Sequence, residues 1–129
     1  MQINNRMLIT FIWTSTIFIT ITGCKITPII GEKVDNKLLV DGIYQGYYKK
    51  WPNNTVVKVS IRNSRIEKVE IIDYFASWIG KKAIDVIPQR IVENQSTNVD
   101  AVTGATNSSR VIMNAVQKAV EKAYNKDNN

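Results

Sequence analysis

The chain has 129 residues, 44% of them hydrophobic, and a formal net charge of +6, which fits one small globular domain. It contains no histidine and one cysteine. These counts exclude a Ser-His-Asp triad, a His-rich metal site, a Cys-x-x-Cys redox pair and an internal disulfide. Any redox chemistry therefore requires an external cofactor.

An apolar segment lies at the beginning of the chain. Arg6 precedes the run Met7–Ile21, which is interrupted only by Thr and Ser. Because this run is shorter than the roughly 20 residues that span a bilayer, residues 1–23 are predicted to be a secretory signal peptide. An uncleaved membrane helix is the alternative interpretation.

The sequence Ile21-Thr22-Gly23-Cys24 resembles the lipobox of bacterial lipoproteins. The resemblance implies cleavage before Cys24 and acylation of that residue, and several acyl chains give stable membrane anchoring. We therefore expect a lipid anchor at the extracytoplasmic face of the cell membrane, where nucleic acid is not an expected partner. Residues 24–39 are predicted to be the lipidated cysteine and a polar tether.

The remaining domain is predicted over residues 40–126. Hydrophobic residues alternate with polar ones at Val57, Val59 and Ile61, a period typical of a half-buried strand. Asn63-Ser64 is a two-residue link suited to a hairpin. An antiparallel meander is therefore predicted, with strands at residues 41–48, 56–62 and 65–73.

Helical periodicity replaces this alternation further on. A short helix is predicted over residues 81–87, and a second from Pro88 to about Asn94, because proline suits a first helical turn. The last helix has a continuous apolar face, formed by Ile112, Ala115, Val116, Ala119, Val120 and Ala123. Its predicted polar face carries Arg110, Asn114, Gln117, Lys118, Glu121 and Lys122. The fold class is therefore α+β, an antiparallel three- to four-stranded sheet with helices packed on one face.

A hydroxyl-rich loop, residues 99–109, leads into the last helix. Gly104 at its centre permits a tight turn and close approach of a ligand. The first helical turn has unpaired N–H groups that attract phosphate, and Thr106 lies beside them. Capping of the helix by Asn107 or Ser108 is an equally good interpretation of the residues alone.

The segment Asp100-Ala-Val-Thr-Gly-Ala-Thr106-Asn-Ser-Ser109 is similar to the signature of the FMN-binding domain family. This family includes flavin-bearing subunits of the sodium-pumping NADH:quinone reductase and of the Rnf complex. Asp41-Gly42-Ile43-Tyr44-Gln45-Gly46 resembles the opening motif of the same family. The resemblance covers roughly residues 40–124.

The resemblance implies a bound FMN that a flavin transferase takes from FAD and links to Thr106 as a phosphoester. It also implies an electron carrier that works with redox partner proteins or a quinone-linked donor, rather than a stand-alone enzyme. Reversible FMN binding and a flavin-free assembly module are the alternatives. Asp100 is expected to orient the loop or the transferase, and closure of an Asx-type turn is the alternative interpretation of this residue. The candidate cofactor-binding residues are Asp100, Thr103, Gly104, Ala105, Thr106, Asn107, Ser108 and Ser109.

Aromatic side chains are candidates for stacking on the flavin ring. The sequence does not select among them, since each is also suited to ordinary packing. They are Tyr47, Tyr48, Trp51, Tyr74 and Trp78.

Overall fold

The computed structural model describes residues 26–124 and has the predicted α+β architecture. Its two 3-10 turns are Asn36–Leu38 and Trp78–Gly80. Within residues 26–124, no helix has the length and apolar character of a membrane span. The predicted signal peptide and Cys24 lie outside the described residues. The main elements are β1 (Gly42–Lys50), β2 (Asn53–Arg62), β3 (Arg65–Phe75), α1 (Lys81–Asn94) and α2 (Thr106–Tyr124).

The three strands form one antiparallel sheet in the order β1-β2-β3, so the predicted meander is confirmed. The alternation in β2 places Val57, Val59 and Ile61 in the core. The hairpin between β2 and β3 turns at Asn63 and Ser64, which have φ values of 52° and 56°. Two consecutive residues with positive φ match the twist that hairpin strands require.

The helices cover one face of the sheet, and α2 packs against β1 without an intervening side chain. Gly46 is buried in β1, and a Cβ atom there would lie 2.8 Å from the backbone nitrogen of Ala119 and 2.9 Å from the carbonyl carbon of Ala115. Only glycine permits this approach. The contact fixes α2, and with it the loop that precedes α2, relative to the sheet.

The structure has one helix where two were predicted, because α1 passes through Pro88 without ending. Proline removes a single hydrogen-bond donor from a helix, here the one that would reach Ile84. The helix is held on both sides of that point by packing, since Ala83, Ile87 and Ile91 are fully buried. Tertiary burial therefore outweighs the local cost of the proline.

The predicted tether is also corrected, because residues 26–35, hereafter the strap, pack along α2. At one end, the N–H of Thr27 donates to Oδ1 of Asn107 over 3.0 Å. At the other end, the N–H of Asp35 donates to the hydroxyl of Tyr124 over 2.8 Å. The strap and α2 therefore run in the same direction along nearly the full length of the helix.

The strap buries part of the face of α2 that was predicted to be exposed and polar. Asn114 is fully buried. Its Oδ1 accepts from the N–H of Ile30 over 3.1 Å, and its Nδ2 donates to the carbonyl of Pro28 over 2.9 Å. Gln117 is buried as well and accepts from the hydroxyl of Thr97. Asn114 therefore satisfies the strap backbone directly, whereas Gln117 contacts it through Thr97, whose hydroxyl accepts from the N–H of Glu32 over 2.9 Å. Uncharged polar side chains suit both positions because each is buried and hydrogen-bonded.

Candidate functional site

The predicted hydroxyl-rich loop leads directly into the N-terminus of α2. Thr106 is the first helical residue, and its side chain is exposed. The first bond in the helical register joins the N–H of Ser109 to the carbonyl of Ala105 over 2.9 Å. Among the described residues, the N–H groups of Thr106, Asn107 and Ser108 therefore have no helical acceptor. Together with the helix dipole, they create a positive potential around the Thr106 hydroxyl.

The loop holds its shape through Ser109. The Ser109 hydroxyl is fully buried, accepts from the N–H of Val102 over 3.0 Å and donates to the carbonyl of Ala105 over 2.8 Å. Gly104 has a φ of 81°, and apart from Gly104 and its two chain neighbours no atom lies within 4 Å of the position its Cβ would occupy. Backbone conformation, rather than lack of space, therefore requires glycine here.

A cleft of about 370 Å³ lies beside Thr106. Three segments that are distant in sequence meet around it: the β1–β2 turn, the segment between β3 and α1, and the beginning of α2. No lining residue is ionisable, so the cleft offers backbone N–H groups, hydroxyls and amides rather than an acid or a base. Its lining residues are Pro52, Asn53, Ser77, Gly80, Gly104, Ala105, Thr106, Asn107 and Ser108.

The candidate residues divide into two groups in the structure. Gly104, Ala105, Thr106, Asn107 and Ser108 line the cleft, whereas Thr103 is exposed outside it and Ser109 is buried below it. Asp100 lines a different, larger cleft of about 730 Å³. There its backbone carbonyl accepts a hydrogen bond from the Arg90 guanidinium.

Sequence reasoning missed the two walls of the cleft that come from other parts of the chain. Gly80 was not predicted to take part, yet a Cβ atom at this position would lie 2.9 Å from Cβ of Ala76 and would also contact Ser108. The only sequence signal was a glycine just before a helix. Pro52 and Ser77 gave none, because tertiary packing alone brings them to the site.

Arg110 lies one helical turn beyond Thr106 and was predicted on the polar face of α2. Its Nη1 donates to the carbonyl of Thr27 over 2.9 Å, while its buried Nε has no hydrogen-bond partner among the described residues. This guanidinium adds a cation near the site and binds the beginning of the strap. Asn107 binds the same residue of the strap through its side chain.

The aromatic candidates also separate. Trp51 precedes the lining residue Pro52, and Trp78 follows the lining residue Ser77, so both adjoin the cleft. Tyr48 instead packs against the core, whereas Tyr47 and Tyr74 are exposed on the sheet. No group of three or more potential metal-ligating side chains occurs within residues 26–124.

Comparison with protein families identifies the cofactor of this chain. Residues 9–121 match the model of the FMN-binding domain. The chain belongs to the FMN-binding domain family. Its cofactor is therefore FMN, and the predicted family resemblance is confirmed.

Relatives of this FMN-binding domain are larger proteins. An uncharacterized protein of Treponema pallidum (strain Nichols) is 33% identical over 87 residues, which are 64% of this chain and 23% of that protein. The urocanate reductase of Eggerthella lenta is 51% identical over 43 residues, 33% of this chain and 7% of the enzyme. The NADH:acrylate oxidoreductase of Vibrio harveyi is 30% identical over 83 residues, 64% of this chain and 8% of the enzyme. The chain thus spans less than a quarter of each relative.

A solved structure supports the fold. The crystal structure of a Clostridium perfringens protein superposes with a TM-score of 0.55 at 18% identity, covering 66% of this chain and 88% of the other. At this identity the similarity concerns the fold alone.

The cleft residues fit FMN. The free N–H groups at the beginning of α2 suit the phosphate, and the positive φ of Gly104 shapes the loop before that terminus without a side chain. When bound, the flavin supplies one- and two-electron transfer, which no side chain lining the cleft can provide. The protein's part is to bind and orient the cofactor.

Proposed function

We propose that this FMN-binding domain is an extracytoplasmic, membrane-anchored electron carrier whose FMN is esterified to Thr106. The observation that carries the proposal is the exposed hydroxyl of Thr106 at the N-terminus of α2, beside the cleft. A noncovalent site needs only the N–H groups, whereas a covalent one also needs a reachable hydroxyl next to them.

The attachment step is a phosphoryl transfer from FAD by a flavin transferase. The Oγ1 atom of Thr106 forms a bond to the phosphorus of the FMN half of FAD, and the pyrophosphate P–O bond breaks. AMP leaves with the bridging oxygen, and the hydroxyl proton is released to solvent or to a base of the transferase. The cleft residues include no general base, so the transferase must supply the catalytic groups.

The attached phosphate retains a negative charge beside the N–H groups of residues 106–108. The positive end of the helix dipole stabilises this charge, and Arg110 adds a further cation on the same side of the helix. Asn107 and Ser108 line the cleft next to the ester. The beginning of α2 therefore both presents the hydroxyl and binds the product.

Membrane anchoring is proposed through acylation of Cys24, which follows the lipobox-like sequence Ile21-Thr22-Gly23. An ester-linked flavin on an anchored protein does not diffuse away outside the cell. Two relatives, the urocanate reductase and the NADH:acrylate oxidoreductase, are named as redox enzymes, which supports an electron-transfer role. The proposed partners are the flavin transferase and redox proteins or a quinone-linked donor.

The test compares three chains produced in a host that has the transferase. The natural chain and Thr106→Ser retain a hydroxyl, whereas Thr106→Val preserves the shape of the side chain without one. We expect a flavin-fluorescent band on a denaturing gel and an FMN-sized addition on the Thr106 peptide for the natural chain. Thr106→Val should lose both signals, and Thr106→Ser should retain at least part of them.

The alternatives give different patterns. Yellow protein that bleaches on denaturation and filtration would indicate reversible FMN binding and would contradict the ester. A fluorescent band that persists in Thr106→Val would place the attachment elsewhere. Mass spectrometry of the N-terminal peptide from the membrane fraction tests the anchor separately, because acylated Cys24 should be the first residue.

A further inference from the structure

Two tryptophans are exposed at the end of the molecule that carries Thr106. The side chain of Trp51 is 84% exposed and that of Trp78 is 78% exposed. Their chain neighbours Pro52 and Ser77 line the cleft at Thr106, so both exposed indoles belong to residues that directly adjoin this cleft in sequence. Tryptophan is highly buried on average, and an exposed pair marks a contact surface.

Aliphatic side chains extend this surface. Ile79 is 40% exposed and adjoins the lining residue Gly80, and Ile26 is 60% exposed and adjoins Thr27. Thr27 is held against the first turns of α2 by its hydrogen bonds to Asn107 and Arg110. The end face is defined here as Ile26, Trp51, Trp78 and Ile79.

Four lysines flank the end face in sequence. Lys49 and Lys50 directly precede Trp51, and Lys81 and Lys82 follow Ile79 after one glycine. None of the four forms an ion pair with any residue between 26 and 124. The nearest acid along the chain is Asp41 for the first pair, eight residues before Lys49, and Asp85 for the second pair, three residues after Lys82. Aromatic and aliphatic side chains bordered by unpaired lysines match the interface of an anionic bilayer.

The direction of the strap brings the anchor to the same end. The strap runs parallel to α2 from Asn107 to Tyr124, so the chain before Thr27 leaves the domain beside Thr106. Two residues lie between Cys24 and Thr27, so Cys24 and Thr27 are three steps apart along the chain and at most about 11 Å from each other. An acyl chain on Cys24 would therefore enter the bilayer next to the end face.

We propose that the end face is a docking surface for anionic lipid headgroups and that it holds the flavin site at the membrane surface. The proposal rests on the lipid anchor of the proposed function. The indole and aliphatic side chains would lie at the level of the headgroups, with the lysines against anionic lipid. The flavin would then exchange electrons with a lipid-soluble or membrane-embedded carrier rather than with one deep in the aqueous phase.

Quenching of tryptophan fluorescence by brominated lipid tests how deeply the end face enters the bilayer. The full chain, with Trp13→Phe, is extracted in detergent and reconstituted into vesicles that contain phosphatidylglycerol brominated near the headgroup end of its acyl chains. Two reporters, one with Trp51 alone and one with Trp78 alone, are obtained by Trp78→Phe and Trp51→Phe. Each should lose most of its emission relative to vesicles without bromine.

A matched reporter at the opposite end serves as the control. Ile43 is exposed at the beginning of β1, about 26 Å from Trp51 along the strand. With Trp13, Trp51 and Trp78 all changed to Phe, the indole introduced by Ile43→Trp should retain its emission. Changing Lys49, Lys50, Lys81 and Lys82 to Gln should reduce the quenching of Trp51 and Trp78.

Emission from Trp51 and Trp78 that is unchanged by bromine would overturn the proposal, as would quenching equal to that of the indole at position 43. Mass analysis of Cys24 and gel fluorescence of the flavin are made on the same vesicles. An acylated, flavin-loaded protein with unquenched Trp51 and Trp78 would contradict the docking surface and leave the proposed function standing.

Discussion

The backbone N–H of Thr27 donates a 3.0 Å hydrogen bond to Oδ1 of Asn107, the residue that follows Thr106. The amide side chain at the cleft thereby fixes the beginning of the strap, and the strap in turn orients that amide. Thr27 is only 1% exposed, so the bond is shielded from solvent. The proposed flavin site and the N-terminal strap thus share a side chain.

Asn107→Ala should release the beginning of the strap. Without the acceptor, the buried N–H of Thr27 loses its partner, which costs about 1–3 kcal/mol. Asn107→Asp keeps an acceptor oxygen and should retain the contact. Hydrogen exchange at Thr27 measures the effect: we expect faster exchange in Asn107→Ala than in the natural chain or in Asn107→Asp. Equal exchange in all three chains would show that the bond does not hold the strap.

Gly46→Ala should destabilise the fold strongly. A Cβ atom there would lie 2.8 Å from the Ala119 nitrogen, and because the obstacle is helix backbone, α2 must move away from β1. We expect a loss of about 3 kcal/mol or more in the free energy of unfolding. Gln45→Ala, at the exposed neighbouring position of β1, serves as the control and should change stability by less than about 0.5 kcal/mol. Denaturant unfolding of the natural chain, Gly46→Ala and Gln45→Ala measures the three free energies of unfolding.

Gln95→Ala should loosen the edge of β3. The buried Gln95 amide accepts from the N–H of Ile66 and donates to the carbonyl of the same residue, each over 2.9 Å. It therefore replaces the missing neighbour strand at that point. Removal leaves two buried backbone groups unpaired, at about 1–3 kcal/mol each. Gln89→Ala, at an exposed position of α1, should have little effect on the same thermal melts.

Asp41 should make stability depend on acid pH. Its carboxylate accepts from the backbone N–H groups of Ser64 and Asn63, each over 2.9 Å, and these bonds lower the pKa of Asp41 below its ordinary 3.8. Because the folded pKa is the lower one, the stabilisation is present above the ordinary pKa. It is lost as the pH falls through that value and then through the folded one.

The comparison of the natural chain with Asp41→Asn isolates this effect. Near neutral pH the natural chain should melt at the higher temperature, because an amide has one acceptor oxygen and no charge for the two N–H groups of the turn. The difference should shrink as the pH is lowered below 3.8. A difference that stays constant across this range would mean that the ionised carboxylate is not the stabilising form.

The elements that could be predicted from the sequence are those whose signal is local. The period-2 alternation in β2, the Asn63-Ser64 link and the apolar face of α2 each depend on neighbouring residues, and the structure contains all three. The continuity of α1 through Pro88 could not be predicted, because it depends on the burial of Ile87 and Ile91 against other elements.

The same division applies to the site. Gly104 to Ser108 form one contiguous segment, so the sequence identified one wall of the cleft together with the residue proposed to carry FMN. Pro52 and Ser77 reach that cleft only after the sheet and helices have packed. The strap likewise has no periodicity of its own, since its partners Asn107 and Asn114 lie 80 and 84 residues away.

The parallel course of the strap and α2 has a practical consequence for immobilising the protein on an electrode. A linker attached just before Ile26 would hold the domain with Thr106 facing the surface. A linker attached after Tyr124 would present the other end of a 19-residue helix, about 27 Å farther away. Interfacial current from two such oriented films would therefore differ even though the flavin and its protein surroundings are the same.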